Sequence, residues 1–132
     1  MLGVVVAGGV LGVALRELLL LPFSTGQAPA DALVLPGATM GVNVIGSFAL
    51  GLVVGRLGDR HPLARGFAGT GVLGGFTTYS AFAVHTAGLL AAAPWAGIAL
   101  AVASVLLGLA AAALGLRLTQ RPAAPGGSGA SP

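Results

Sequence analysis

Two short stretches of this sequence place hydrogen-bond donors inside otherwise apolar segments. In the first stretch, Thr39, Asn43 and Ser47 follow one another at intervals of four residues, so they share one face of a helix. In the second stretch, residues 74–86 (GGFTTYSAFAVHT), two glycines precede a run of hydroxyl-bearing and aromatic side chains: Thr77, Thr78, Tyr79, Ser80 and Phe82. A polar group buried unpaired in hydrocarbon costs several kcal/mol. These side chains must therefore meet another helix, water or a ligand.

The donors in these stretches suit an anion better than a cation. Amide N–H and hydroxyl O–H groups donate to anions, and the electropositive edge of an aromatic ring can also face one. Tyr79 and Phe82 are three residues apart, which makes them neighbours on a helix surface. A cation site would need carboxylates, and the acidic residues lie outside the middle of the apolar segments: Glu17, Asp31 and Asp59. Weak neutral donors in series favour ion conduction, because a conducted ion must bind loosely enough to leave.

The elements that carry these residues are membrane helices by composition. The chain is 56% hydrophobic and 7% charged, against about 25% charged residues in an ordinary soluble domain. A helix needs roughly 20 apolar residues to cross the hydrocarbon core, and the apolar stretches cover residues 2–21, 35–57, 67–93 and 95–116. We predict an all-α integral membrane protein with four transmembrane helices in residues 1–116. Residues 117–132, rich in Pro, Gly and Ser, are predicted to form a disordered tail.

Glycine spacing predicts close helix packing with one interruption. Three glycine pairs are spaced by four residues, which is typical of tight packing in lipid: residues 8 and 12, 37 and 41, and 51 and 55. Adjacent glycines at 74 and 75, followed by two β-branched threonines, form a poor helical segment. We therefore expect the third helix to be broken near residues 74–78. Broken backbone at membrane depth is tolerated only where it is buried in protein or lines a cavity.

The charges predict an orientation and exclude several functions. With the N-terminus in the cytoplasm, five of the six arginines lie on that side, and only Arg16 faces outward. There is no basic stripe with interleaved aromatics for nucleic acid. Without cysteine, a nucleophile–base pair or paired carboxylates, the sequence offers no enzyme site, and His61 and His85 lack the companions of a metal site. The absence of lysine amid abundant Ala, Gly and Arg is typical of a GC-rich bacterial genome.

Three stretches together resemble the Fluc/CrcB family of fluoride channels. Residues 37–51 (GATMGVNVIGSFALG) and 69–82 (GTGVLGGFTTYSAF) are similar to its two signature stretches, and residues 8–17 (GGVLGVALRE) are similar to its first-helix pattern. The resemblance covers all but the C-terminal tail. It implies a passive, fluoride-selective channel in the bacterial cell membrane that exports fluoride and lowers its toxicity. It also implies an antiparallel dimer of four-helix subunits with two pores.

The resemblance also implies roles for individual residues. Asn43 would donate to fluoride, while Tyr79 and Phe82 would present ring edges to the ion. The polar residues that would line or support the pore are Ser47, Thr77, Thr78 and Ser80. A structural sodium ion at the dimer centre would be held by the backbone carbonyls of Gly74 and Thr77. Arg16 would lie near an aqueous vestibule.

The sequence departs from the family pattern at four positions. Tyr79 stands where the family usually has Phe, which keeps the ring edge but adds a hydroxyl. Ala81 replaces a frequent Thr and Ala83 a frequent Ser, so the polar track is thinner. His85 occupies a position where Glu is common. It is either a buried histidine satisfied by a neighbour or a pH-sensitive element.

The dimer partner and two rival functions stay open at this level. An antiparallel dimer needs both orientations in one membrane, whereas the arginine bias predicts one. The partner is therefore either an oppositely oriented paralogue or a second copy that inserts both ways. A small multidrug-type proton-coupled exporter would need a mid-membrane carboxylate, and Glu17 lies near a helix end beside Arg16. A structural membrane subunit would explain the glycines but not the polar and aromatic cluster.

Overall fold

The computed structural model describes residues 1–24, 33–58 and 61–119, and these ranges are helical without any strand. Three helices are long: α1 (Leu2–Leu20), which continues as a 3₁₀ turn (Leu21–Phe23), α2 (Val34–Leu57) and α6 (Pro94–Thr119). Each is long and apolar enough to cross a membrane. The chain between α2 and α6 is divided into α3 (Pro62–Arg65), a π-helical segment (Gly66–Leu73), α4 (Gly74–Phe76) and α5 (Tyr79–Ala92). The all-α prediction is confirmed.

The ends of α2 and α6 follow from local sequence. Gly58 ends α2 with a φ of 48°, a left-handed backbone conformation that glycine adopts without a Cβ penalty. Pro94 begins α6 at a position where a missing N–H costs nothing. The last helical residue is Thr119, three residues beyond the predicted end of the fourth span at 116. The remainder of the predicted tail lies outside the described residues.

The first interhelical seam joins α1 to the π-helical segment and α4 through backbone contact. A Cβ on Gly12 would meet the Phe76 nitrogen at 2.8 Å, and a Cβ on Gly71 would meet the Val5 oxygen at 2.8 Å. Only glycine therefore fits these positions, because real Cβ atoms do not approach so closely. The contacts advance along both partners together, from Gly8 beside Phe67 to Gly12 beside Phe76, so the two elements run parallel.

A second seam joins α2 to α6 in the same manner. A Cβ on Gly51 would meet the Leu116 nitrogen at 2.8 Å, and a Cβ on Gly115 would meet the Leu52 nitrogen at 3.0 Å. Gly55, one turn further along α2, lies against Thr119, so these helices also run parallel. The predicted packing role of residues 8, 12, 51 and 55 agrees with these seams. Gly37 and Gly41 differ, since a Cβ at either would meet nothing within 4 Å in the part of the chain described.

Candidate functional site

The helical path between α4 and α5 is interrupted at two threonines, Thr77 and Thr78, and we call this interruption the break. Thr77 has φ −80° and ψ 151°, and Thr78 has φ −141° and ψ 109°, both extended conformations. Thr77 still closes the end of α4, because its N–H and its hydroxyl both donate to the Leu73 carbonyl, at 3.0 and 2.9 Å. The Thr78 hydroxyl begins α5 as an N-cap and accepts from the Ala81 N–H at 3.2 Å. The sequence has weak helix formers at residues 74–78, and within this run the backbone leaves helical geometry at the two threonines.

Asn43 of α2 holds this interruption in place. Its Oδ1 accepts from the Thr78 N–H at 2.8 Å, and its Nδ2 donates to the Thr78 carbonyl at 3.2 Å. One side chain thus satisfies both backbone groups of Thr78, as a neighbouring strand would. An amide NH₂ group carries two hydrogens, so one N–H of Asn43 is left for another acceptor. Asn43 therefore joins two helices and retains a donor.

The same hydrogen bonds deprive two carbonyls of their helical donors. In an α-helix, the carbonyl of Gly74 would accept from the Thr78 N–H, but that N–H donates to Asn43. The carbonyl of Thr77 would accept from the Ala81 N–H, but that N–H donates to the Thr78 hydroxyl. Gly74 is exposed, and the nearest atom to a Cβ placed on it is 4.0 Å away. Two backbone oxygens at the break are therefore available as hard ligands for a cation.

A cleft lies between α2, the break and α6, and we call it the asparagine cleft. Its cavity volume is about 360 Å³, enough for an ion together with several waters of about 30 Å³ each. It is lined by Asn43, Gly46, Ser47, Leu50, Gly69, Leu73, Gly74, Thr77, Thr78, Tyr79, Phe82, Ser104 and Val105. No carboxylate lines this cleft among the residues that the structure describes. The first predicted stretch contributes Asn43 and Ser47, and the second contributes the threonines and both rings.

The two aromatic rings of the second stretch are adjacent at this cleft. The ring centroids of Tyr79 and Phe82 are 6.0 Å apart with an interplanar angle of 47°, a tilted arrangement in the range that aromatic pairs prefer. Tyr79 is 81% exposed, whereas Phe82 is partly covered. The Tyr79 ring therefore presents most of its surface outside the subunit.

Ser104 of α6 was missed by the sequence analysis. Its hydroxyl oxygen is buried and has no hydrogen-bond partner among the described residues, yet the residue lines the asparagine cleft with Asn43 and Phe82. A single serine in the long apolar run of α6 gave a weak signal. Ser104 reaches the cleft only because of the register of α6 against α2, which the sequence does not give. The one sequence signal for it was a hydroxyl inside the fourth apolar stretch.

A second cleft, which we call the arginine cleft, lies between α1, α2 and α5. Its volume is about 470 Å³, and it is lined by Arg16, Glu17, Leu20, Leu21, Ser24, Leu35, Thr39, Thr78, Ser80, Ala81, Val84 and His85. Arg16 donates to the Glu17 carboxylate at 2.8 and 3.1 Å and to the Gly75 carbonyl at 3.2 Å. Arg16 and Glu17, adjacent in sequence, therefore form an ion pair with each other. Arg16 also connects α1 to the residue next to Gly74.

Thr78 and Ser80 connect the polar features of the two clefts. Thr78 lines both clefts, Ser80 lines the arginine cleft, and their hydroxyl oxygens are 3.2 Å apart. Thr39, although four residues from Asn43, lies in the arginine cleft and not in the asparagine cleft. The helix face predicted from Thr39, Asn43 and Ser47 is therefore divided between two clefts.

Comparison with known proteins assigns the chain to a family. A family profile described as CrcB-like protein, Camphor Resistance (CrcB), matches residues 3–116. The chain belongs to the CrcB family. This confirms the family that the three sequence stretches indicated. Together with the three long apolar helices, membership in the family identifies a multi-pass membrane protein.

Three relatives that are named as ion channels match most of the chain. It is 46% identical over 121 residues to the fluoride-specific ion channel FluC 2 of Leifsonia xyli, with 86% of this chain and 79% of the relative covered. It is 44% identical over 118 residues to the fluoride-specific ion channel FluC 2 of Rhodococcus jostii, with 87% and 95% covered. It is 36% identical over 120 residues to the fluoride-specific ion channel FluC of Thermotoga maritima, with 84% and 87% covered.

Proposed function

We propose that this chain forms a passive, fluoride-selective ion channel that lets fluoride leave the cytoplasm down its electrochemical gradient. The observation that carries the proposal is the asparagine cleft, where a donor amide, hydroxyls and two ring edges meet and no described residue contributes a carboxylate. The names of the relatives, fluoride-specific ion channels at 36–46% identity, support the same ion. The activity is transport, and no chemical step is involved.

In this proposal, Asn43 donates its remaining N–H to fluoride, and Tyr79 and Phe82 face the ion with their ring edges. The hydroxyls of Ser47, Thr78 and Ser80 replace water along the path, while Thr77 supports the break by its bonds to Leu73. Neutral donors bind the ion without trapping it, which conduction requires. A cytoplasm at −100 mV favours exit of an anion by about 2.3 kcal/mol, so no fuel is needed.

We infer that each subunit crosses the membrane four times, with a third span that is broken at Thr77 and Thr78. The parallel seams support this topology: α1 runs parallel to the π-helical segment, and α2 runs parallel to α6. Parallel pairing of the first element with the third and of the second with the fourth is what a chain that reverses direction at each connection would give. With the N-terminus inside, the arginine distribution then leaves Arg16 toward the outside.

We also propose an antiparallel dimer in the bacterial cell membrane, surrounded by lipid. The exposed ring of Tyr79 and the open surface around Gly74 support a partner at the break. Either a second copy or an oppositely oriented paralogue would cover them. A structural sodium ion fits the available carbonyls of Gly74 and Thr77, which would hold it together with the same pair from the partner. When bound, the ion would supply positive charge that joins the two breaks.

The test is fluoride efflux from liposomes that contain the purified chain, with a membrane potential set by valinomycin. We expect fluoride release without chloride release. Asn43→Asp keeps the acceptor for the Thr78 N–H but replaces the donor with a negative group, so fluoride efflux should fall at least about tenfold. Phe82→Ile removes the ring edge at similar volume and should also reduce the efflux.

Size-exclusion profiles of the variants serve as the control for folding. Chloride release equal to fluoride release would contradict selectivity. Silence from well-folded protein would point to a missing paralogue, and repeating the assay with the co-expressed paralogue would then decide whether the chain takes part in a channel. Drug efflux driven by a proton gradient would instead favour the exporter, although Glu17 is already paired with Arg16.

A further inference from the structure

The arginine cleft contains two polar atoms to which the described part of the subunit supplies no hydrogen-bond partner. The Thr39 hydroxyl oxygen and the His85 Nδ1 are both buried and have no hydrogen-bond partner among the described residues. Thr39 as a whole is only 1% exposed. Both residues line the same cleft, one from α2 and the other from α5. A buried polar group without a partner costs about 1–3 kcal/mol, so something in the cleft should satisfy these two.

Local backbone bonding does not account for Thr39. A helical threonine can donate to the carbonyl four residues earlier. Among the described residues, Thr77 donates to Leu73 at 2.9 Å and Thr119 to Gly115 at 3.0 Å in this way, whereas the buried Thr86 hydroxyl has no partner. Thr39 makes no such bond. The sequence-based interpretation of His85 as a histidine satisfied by a neighbour also fails for its Nδ1 within the described residues. Both groups are left to a ligand in the cleft.

Among the described residues, few charged groups surround His85. From α1, Arg16 and Glu17 line the cleft, and they are paired with each other. From α2, the cleft is lined by the uncharged Leu35 and Thr39, while the only charged residue of the helix is Arg56 in its last turn. From α6, the only charged residue is Arg117, also in the last turn. His85 is the histidine that lines the cleft. Protonation of its imidazole would therefore add a positive charge to the cleft.

We propose that Thr39 and His85 form an anion-binding station in the fluoride path, and that protonation of His85 tightens it. The inference rests on the proposed function, because Thr78 lines both clefts and would pass the ion from one to the other. The Thr39 hydroxyl donates to the ion. A neutral imidazole has one N–H, whereas the imidazolium has two and a charge. His85 thus makes fluoride binding stronger in acid.

The first test measures fluoride currents across planar bilayers at equal pH on both sides, at pH 7.5 and pH 5.5. The measured current reports the movement of fluoride ions only, because neutral hydrogen fluoride carries no charge when it crosses the lipid. From pH 7.5 to 5.5, the half-saturating fluoride concentration should fall by at most about fivefold, the effect that one full unit charge at contact distance has in water. His85→Gln should remove this pH dependence. His61→Gln, at the only other histidine and outside the cleft, should retain it.

Thr39→Val tests the second group of the station. The change keeps the shape and removes the hydroxyl, so it should raise the half-saturating concentration by about tenfold at both pH values. A merely structural Thr39 would leave that concentration unchanged. A pH dependence that persists in His85→Gln, or is absent from the unmodified protein, would overturn the station.

Fluoride titration of histidine-labelled protein in nanodiscs gives a readout that does not need current. At pH 5.5 the ring signals of His85 should shift saturably with fluoride, while those of His61 stay in place as an internal reference. If His85 responds but no current flows, the station stands and the channel proposal fails. If current flows without any response of His85, water alone occupies the cleft and the station is wrong.

Discussion

The glycine seams and the break at Thr77 and Thr78 are two ways of bringing backbones together. In the seams, helices keep their own hydrogen bonds, and contact depends on missing side chains, as at Gly12 and Gly51. At the break, the backbone gives up helical bonds, and side chains of Asn43 and Thr78 replace them. The seams bring two backbones into direct contact, whereas the break leaves carbonyls and one amide N–H available. Rigid packing and ion handling are thus separated within one small subunit.

The largest effect should come from filling a seam. In Gly12→Ala the new methyl would overlap the backbone of Val72 and Phe76, which cannot move away. We expect a loss of about 3 kcal/mol or more and a collapse in the yield of folded protein. Gly3→Ala is the control, because a Cβ there meets nothing within 4 Å. Equal thermal stability of the two variants in detergent would contradict the seam.

Asn43→Ala should have the next largest effect, because it removes both bonds to Thr78. The Thr78 N–H is then unpaired and its carbonyl keeps only the Phe82 N–H at 3.4 Å, which should cost about 1–3 kcal/mol and can be measured by thermal unfolding in detergent. Asn43→Asp retains the acceptor for the Thr78 N–H and should recover part of this stability while fluoride efflux stays low. If Asn43→Ala and Asn43→Asp had the same stability and the same fluoride efflux, the two roles of Asn43, holding the break and contacting the ion, could not be separated.

Thr78→Val tests the helix cap at the start of α5 through its effect on stability. The hydroxyl accepts from the Ala81 N–H at 3.2 Å, and loss of such a cap costs about 1 kcal/mol. Thr78→Ser keeps the hydroxyl and is the matched control. The expected order of melting temperatures is therefore unmodified protein, then Thr78→Ser, then Thr78→Val. Amide exchange should also be faster at the start of α5 in the valine variant only.

Gly74 and Gly75 allow the seam and the break to be compared at adjacent positions. A Cβ on Gly75 would strike the backbone of Gly9, whereas a Cβ on Gly74 would have its nearest neighbour 4.0 Å away. Gly75→Ala should therefore destabilise the subunit itself. Gly74→Ala should leave the subunit folded and weaken only the proposed dimer and its sodium ion, which cross-linking at varied sodium concentration can follow. Unchanged dimer content in Gly74→Ala would argue against a partner at this surface.

The smallest effect on stability should come from Tyr79→Phe. Because Tyr79 is 81% exposed, removal of its hydroxyl should change the free energy of unfolding by less than about 0.5 kcal/mol. The ring edge remains, so fluoride selectivity over chloride should persist in liposome efflux. A loss of selectivity in this variant would show that the hydroxyl itself takes part in ion binding.

The sequence by itself determined the class of the protein, the family, and which residues could meet an anion. Hydropathy and glycine spacing are properties of each segment, so apolar length indicated membrane helices and small residues indicated seams. The weak helix-forming run at residues 74–78 likewise carried its own evidence of a break.

Only the tertiary structure decided which partner each polar group has. Asn43 bonds the backbone of Thr78, Ser104 reaches the asparagine cleft, and Thr39 falls with His85 in another cleft. Nothing in the segments alone gives these outcomes, because they depend on the register and rotation of one helix against another. A shift of one residue rotates a helical side chain by about 100°, enough to move a donor from a cleft to lipid. Helix packing therefore decides what local sequence leaves open.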